Sequence, residues 1–249
     1  MESVLPESIS HITALIFIIA SFFTSALTAS FGIGGGVALM ALMGTVLPVA
    51  SLIPVHGLVQ LGSNSGRAWH QRMQVLWRAL WPFLAGAAIG AFAGAIVVVP
   101  LPDRPLKILL GLFILIVTWA KFPALATMGK PGTGIAGLVV AFLSMIFGAT
   151  GPLIAALFEK TYSDRRQMVA TNAAAMVLIH GLKVTAFAFA GFAFGDWLAL
   201  IVAMIVSGYV GTICGTRLLC RIPEQYFRTG FKIVLSVLAL DMVRRGIST

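Results

Sequence analysis

The hydrophobic pattern of this chain consists of long unbroken runs, not of alternation. Ten apolar segments occupy about residues 10–30, 34–50, 54–69, 76–100, 105–122, 132–148, 151–160, 167–190, 196–219 and 227–244, divided by short polar breaks or by glycine and proline. Several reach the roughly 20 residues that an α-helix needs to cross hydrocarbon. A β-barrel would instead show short segments of alternating polarity. The segments at 34–50 and 151–160 are short for a full span, and each follows a glycine-containing break. Each is therefore expected to form a broken helix or a re-entrant hairpin with the segment before it. Freed backbone at membrane depth persists only where protein buries it or where it lines a polar cavity.

The two breaks are related. Phe-Gly-Ile-Gly-Gly-Gly at 31–36 has a shortened partner, Phe-Gly-Ala-Thr-Gly-Pro, at 147–152, an offset of 116 residues (147 minus 31). The same offset places His56 on Asn172, Asn64 on His180, Arg67 on Lys183 and Trp81 on Trp197. Beyond Trp81 the offset becomes 121, and Gly90, Gly94, Pro102 and Lys107 then match Gly211, Gly215, Pro223 and Arg228. So many matches in order indicate duplication, with residues 1–125 as one repeat and 126–249 as the other. Five crossings per copy, an odd number, would invert the second copy relative to the first. The predicted fold class is an all-α polytopic membrane protein of two inverted repeats, each of about five segments, with broken or re-entrant helices at the glycine-rich motifs.

Charge supports the inversion. The loop 67–78 carries Arg67, Arg72 and Arg78, whereas its counterpart 191–195 has no basic residue and is followed by Asp196. Lys160, Arg165 and Arg166 mark a second basic loop, and Arg217, Arg221 and Arg228 a third. By the positive-inside rule, loops 67–78, 121–131, 159–166 and 217–228 face the cytoplasm and the N-terminus lies outside. Arg244 and Arg245 at an external C-terminus are the misfit.

Composition sharpens the class. The chain has 249 residues, 59% hydrophobic and 10% charged, where a soluble domain has about a quarter charged. Glu2 and Glu7 precede the first run without a basic n-region, which predicts a retained helix instead of a cleaved signal peptide. The formal net charge of +9 is mostly loop arginine and lysine, so it reads as topology and gives no case for nucleic acid. With eight acidic residues, none clearly inside an apolar run, the interior field is neutral to positive and suits an anion. Cys214 and Cys220 are six apart on one helix, off the i, i+4 spacing, and read as two small buried residues without a disulfide.

Candidate chemistry follows from these elements. Consecutive glycines at a helix start present N–H groups and the positive end of a helix dipole, an arrangement suited to anionic oxygens. Thr150 adds a hydroxyl to the second motif. His56 and Asn64 lie two turns apart on one helix face, as do Asn172 and His180 on the equivalent segment, and polar side chains at this depth mark either a pathway or interhelical hydrogen bonds. Arg67 and Lys183 sit one turn further on and approach opposite mouths, with at least one expected to snorkel to lipid headgroups. Gly86, Gly90, Gly94, Gly211 and Gly215 recur at four-residue spacing and predict close helix packing. No HExxH, GxSxG or carboxylate pair is present, which argues against an intramembrane enzyme. No metal or cofactor is expected.

The chain, over about residues 10–245, resembles the sulfite exporter TauE/SafE family through its duplicated halves and the two motifs at 31–36 and 147–152. The resemblance implies a bacterial inner-membrane permease for sulfite, a sulfonate, sulfoacetate or a related anion, moving it outward by alternating access. It carries over Gly32, Gly34, Gly35, Gly36, Gly148 and Gly151 as site positions. The second motif ends Thr150, Gly151, Pro152, where the family often has more glycines. The expected partners are a small anionic substrate and the lipid bilayer; a homodimer stays open. The alternatives are a carrier of another organic anion or of a neutral solute, and, in a different class, an intramembrane enzyme or chaperone.

Overall fold

The computed structural model describes residue 6 and residues 9–32, 34–98, 102–161, 164–218 and 224–248. Glu2, Glu7, Ile33, Cys220, Arg221 and Pro223 lie outside the described residues, as do the side chains of Arg165, Arg217 and Arg228.

Each of the ten apolar segments forms a helix: α1 His11–Phe31, α2 Gly35–Gly44, α3 Val49–His70, α4 Trp77–Val98, α5 Asp103–Trp119, α6 Lys130–Phe147, α7 Gly151–Phe158, α8 Arg165–Phe189, α9 Leu198–Leu218 and α10 Glu224–Ser248. No strand occurs among the described residues. Five of these helices, α1, α4, α6, α8 and α9, are long and apolar enough to cross a membrane. The fold is thus an all-α polytopic membrane protein.

Helix starts follow local chemistry. Ser10 caps α1 by accepting from the Thr13 N–H at 3.1 Å, and Asp164 caps α8 by accepting from the Gln167 N–H at 2.9 Å. Asp103 accepts from the Val49 N–H, tying the first turns of α3 and α5 together at one end of the bundle.

The main helix pairings are kept when α1–α5 are exchanged with α6–α10. Helix α1 packs on α9 and α4 on α6, while α3 pairs with α8 and α5 with α10. Small residues make the first two contacts close. A Cβ on Gly86 or Gly90 would overlap the carbonyl oxygen of Gly134 or Leu138 on α6, and a Cβ on Gly211 or Gly215 that of Phe22 or Ala26 on α1. Backbone therefore lies against backbone, as the four-residue spacing predicts. Hydroxyls reinforce the α1–α9 seam: Ser21 donates to Met204 O at 2.7 Å, Ser30 to Gly215 O at 2.8 Å and Ser207 to Ile18 O at 2.7 Å. Arg244 and Arg245 both donate to Asp241, at 2.7 and 2.6 Å, so one of the two charges that disagree with the loop pattern is cancelled locally.

Candidate functional site

The two motifs break their helices in the same way. Gly32 and Gly148 end α1 and α6 at φ +83° and +73°, and their N–H groups return to Thr28 O and Ser144 O, residues again 116 apart (144 minus 28). A residue with a Cβ adopts this left-handed conformation only at a cost. Each chain then restarts as a short helix, α2 or α7, neither with a side-chain cap.

The restarts differ in what they offer. The first intrahelical bond of α2 is Ala38 N–H to Gly34 O, which leaves the amides of Gly35, Gly36 and Val37 without a partner inside the helix. In α7, Pro152 has no N–H and the Leu153 amide already bonds to Thr150 O at 3.0 Å.

Between the two breaks lies a small polar cavity. Gly32, Gly34 and Gly36 line it from the first motif, and Thr150 and Gly151 from the second. Asn64 and Arg67 of α3 and Asn172 and His180 of α8 complete it, together with Thr28, Gln60 and Met176. Nine of the thirteen residues picked out from the sequence therefore converge on one space; Gly35, Gly148, His56 and Lys183 do not line it.

Arg67 brings a buried charge to the cavity. It is 4% exposed, its Nη1 donates to Asn64 Oδ1 at 3.0 Å, and its Nε has no hydrogen-bond partner. No carboxylate among the described residues pairs with it. Asn64 is held in turn by donating Nδ2 to Gln60 O at 2.8 Å and to Gln60 Oε1 at 3.1 Å. The Thr150 hydroxyl and His180 Nδ1, both buried, also lack partners. A buried guanidinium with spare donor capacity, beside helix starts, is an arrangement suited to an anionic oxygen.

The four residues off the cavity hold its frame. His56 is 1% exposed, and its Nε2, 2.9 Å from the Gly36 carbonyl, is the donor because a carbonyl only accepts. Its ring meets that of His180 edge-on at 5.9 Å, which joins α3 to α8. Lys183 is fully buried and donates Nζ to Gly148 O at 2.9 Å, satisfying the carbonyl at the end of α6. Neither Arg67 nor Lys183 snorkels to lipid as the sequence suggested for at least one, because α3 and α8 pack on each other and turn these side chains into protein.

Gly35 is likewise a packing residue. A Cβ there would overlap Thr24 O and the Thr28 hydroxyl of α1, so the restart of α2 folds back against α1. Gln60 and Thr28 were missed in the sequence; Gln60 sits four residues before Asn64 on the same helical face, which is the signal that would have found it.

Comparison with known proteins gives the family. A relative from Comamonas testosteroni, described as "Probable inner membrane transporter protein TsaS", is 29% identical over 180 residues, covering 69% of this chain and 74% of the relative. No solved structure matches. The family described as sulfite exporter TauE/SafE matches residues 17–242, nearly the whole chain, so this protein belongs to that family and is a multi-pass membrane transporter, not an enzyme.

Proposed function

We propose that the chain carries a small sulfur-containing oxyanion, such as sulfite or a sulfonate, out across the bacterial inner membrane. The observation that carries this reading is the buried Arg67, without a carboxylate partner among the described residues, in a cavity between two broken helices. The relative's description as an inner membrane transporter supports the location. Outward movement of an anion gains about 2.3 kcal/mol per charge at 100 mV inside negative. Residues 1–125 and 126–249 act as inverted repeats, a reading supported by the main helix pairings, which survive their exchange, and by the opposed loop charges. Rocking of one group of helices against the other then exposes the cavity to each side in turn.

The test is thermal stabilisation of purified protein by sulfite, sulfoacetate, taurine, sulfate and simple carboxylates. Sulfite or a sulfonate should raise the melting temperature most. Stabilisation by cations or neutral solutes alone would overturn the reading.

A further inference from the structure

The same broken helices border a second chamber of opposite chemistry. It lies toward α5 and α10, is lined by Leu27, Val117, Phe231 and Leu235, and shares Gly34 and Val37 with the polar cavity. Pro152 brings the second motif to its wall as well. Lys232, also on this wall, has its ammonium 4.9 Å above the Trp119 ring.

The two spaces differ in size as well as polarity: ≈ 130 Å³ for the apolar chamber and ≈ 40 Å³ for the polar cavity. A water needs roughly 10–15 Å³ and a cavity of about 150 Å³ holds benzene. The polar space thus suits a head group of three or four non-hydrogen atoms, and the apolar one about five carbons. Gly34 lies on the boundary, where the Phe231 ring stands against it.

We propose that the apolar chamber is a subsite for the hydrocarbon group of an organic anion whose head group is held at Arg67 and Asn64. This rests on the anion reading above and adds the substrate class: an amphipathic anion with a short alkyl group. Head and tail are drawn apart by the chain itself, because α3 supplies the donors on one side of the α2 restart while α5 and α10 supply aliphatic side chains on the other.

The experiment is calorimetric titration of the purified protein with sulfite and with n-alkane-1-sulfonates of one to seven carbons. Affinity should rise about fourfold per methylene, as burial of each CH₂ requires, and level off near five carbons. Val117→Phe, which fills the chamber without touching the polar cavity, should flatten that rise and leave methanesulfonate affinity within twofold. Thr118→Phe, at a half-buried position on the same wall, gives the same test should Val117→Phe fail to fold. A series of equal affinities in the parent, as a retained lipid chain in the chamber would produce, overturns the proposal; so does a rise unchanged in the variant that folds. Failure of both sulfite and methanesulfonate to bind would sink the anion reading itself, whereas their binding with a flat series removes only the subsite.

Discussion

Replacing Arg67 by Gln tests the electrostatics of the cavity most directly. The guanidinium is buried and held by one side-chain hydrogen bond, to Asn64. A unit charge about 4 Å away from it gains roughly 4 kcal/mol at an effective dielectric near 20. Loss of that interaction raises Kd for the anion by about 10²–10³-fold. At a sulfite concentration of about 100 Kd the parent gains about 2.7 kcal/mol of stability, a melting shift of roughly 5–10 °C for a chain of this size. At the same concentration the variant gains at most about 0.4 kcal/mol, under about 2 °C. Without ligand its melting temperature should not fall, because removing a buried cation that no carboxylate among the described residues pairs with also removes its desolvation cost. Differential scanning fluorimetry of parent and Arg67→Gln, with and without sulfite, reads both quantities. A variant that keeps Kd within threefold, or that melts more than 5 °C below the parent without ligand, refutes the assignment of Arg67 as the charge that holds the anion.

Glycine substitutions separate packing from binding. Gly35→Ala and Gly90→Ala should both reduce folded protein, since each new methyl overlaps a neighbouring carbonyl, whereas Gly151→Ala, whose Cβ meets only Met176 Sδ at 4.0 Å, should fold at the parent level and bind anion less tightly; size-exclusion yield and titration check the pair. Single cysteines at the exposed positions 73 and 195 should label from opposite sides of the membrane with an impermeant maleimide, and labelling from one side ends the inverted-repeat argument. His56→Leu should lower thermal stability by about 1 kcal/mol through loss of its bond to Gly36 O, while His56→Gln, which keeps a donor, should recover part of it.

Segment positions and the packing role of Gly86, Gly90, Gly211 and Gly215 were legible because they depend on runs and on repeat spacing. The duties of the individual glycines in the first motif were not. Successive helical residues point about 100° apart, and neighbouring glycines there serve different surroundings: Gly34 meets Phe231 of α10, Gly35 meets α1, and Gly36 meets Gln60 of α3. Only the assembled bundle fixes which of them faces the cavity. Lys183 illustrates the same limit. Its equivalence to Arg67 is plain in the offset of 116, yet Arg67 turns toward Asn64 and the cavity while Lys183 reaches the end of α6. Matching residues in a duplicated chain share an address, and their partners have diverged.

Under the proposed alternating access, the unequal helix starts carry a kinetic consequence. Gly35, Gly36 and Val37 bring three amides to the restart of α2, while Pro152 and the occupied Leu153 amide leave the restart of α7 poorer in donors. An anionic guest in the cavity would hang mainly from the first half, from the start of α2 at Gly36 and Val37 and from Arg67 and Asn64. When the halves part toward one side the guest must leave its stronger anchor, and toward the other its weaker one. Nothing in this shifts the equilibrium across the membrane, but the half-saturation concentrations seen from the two faces become unequal. Pro152, the occupied Leu153 amide and the one-sided placing of Arg67 would together make a nearly symmetric carrier behave asymmetrically in time.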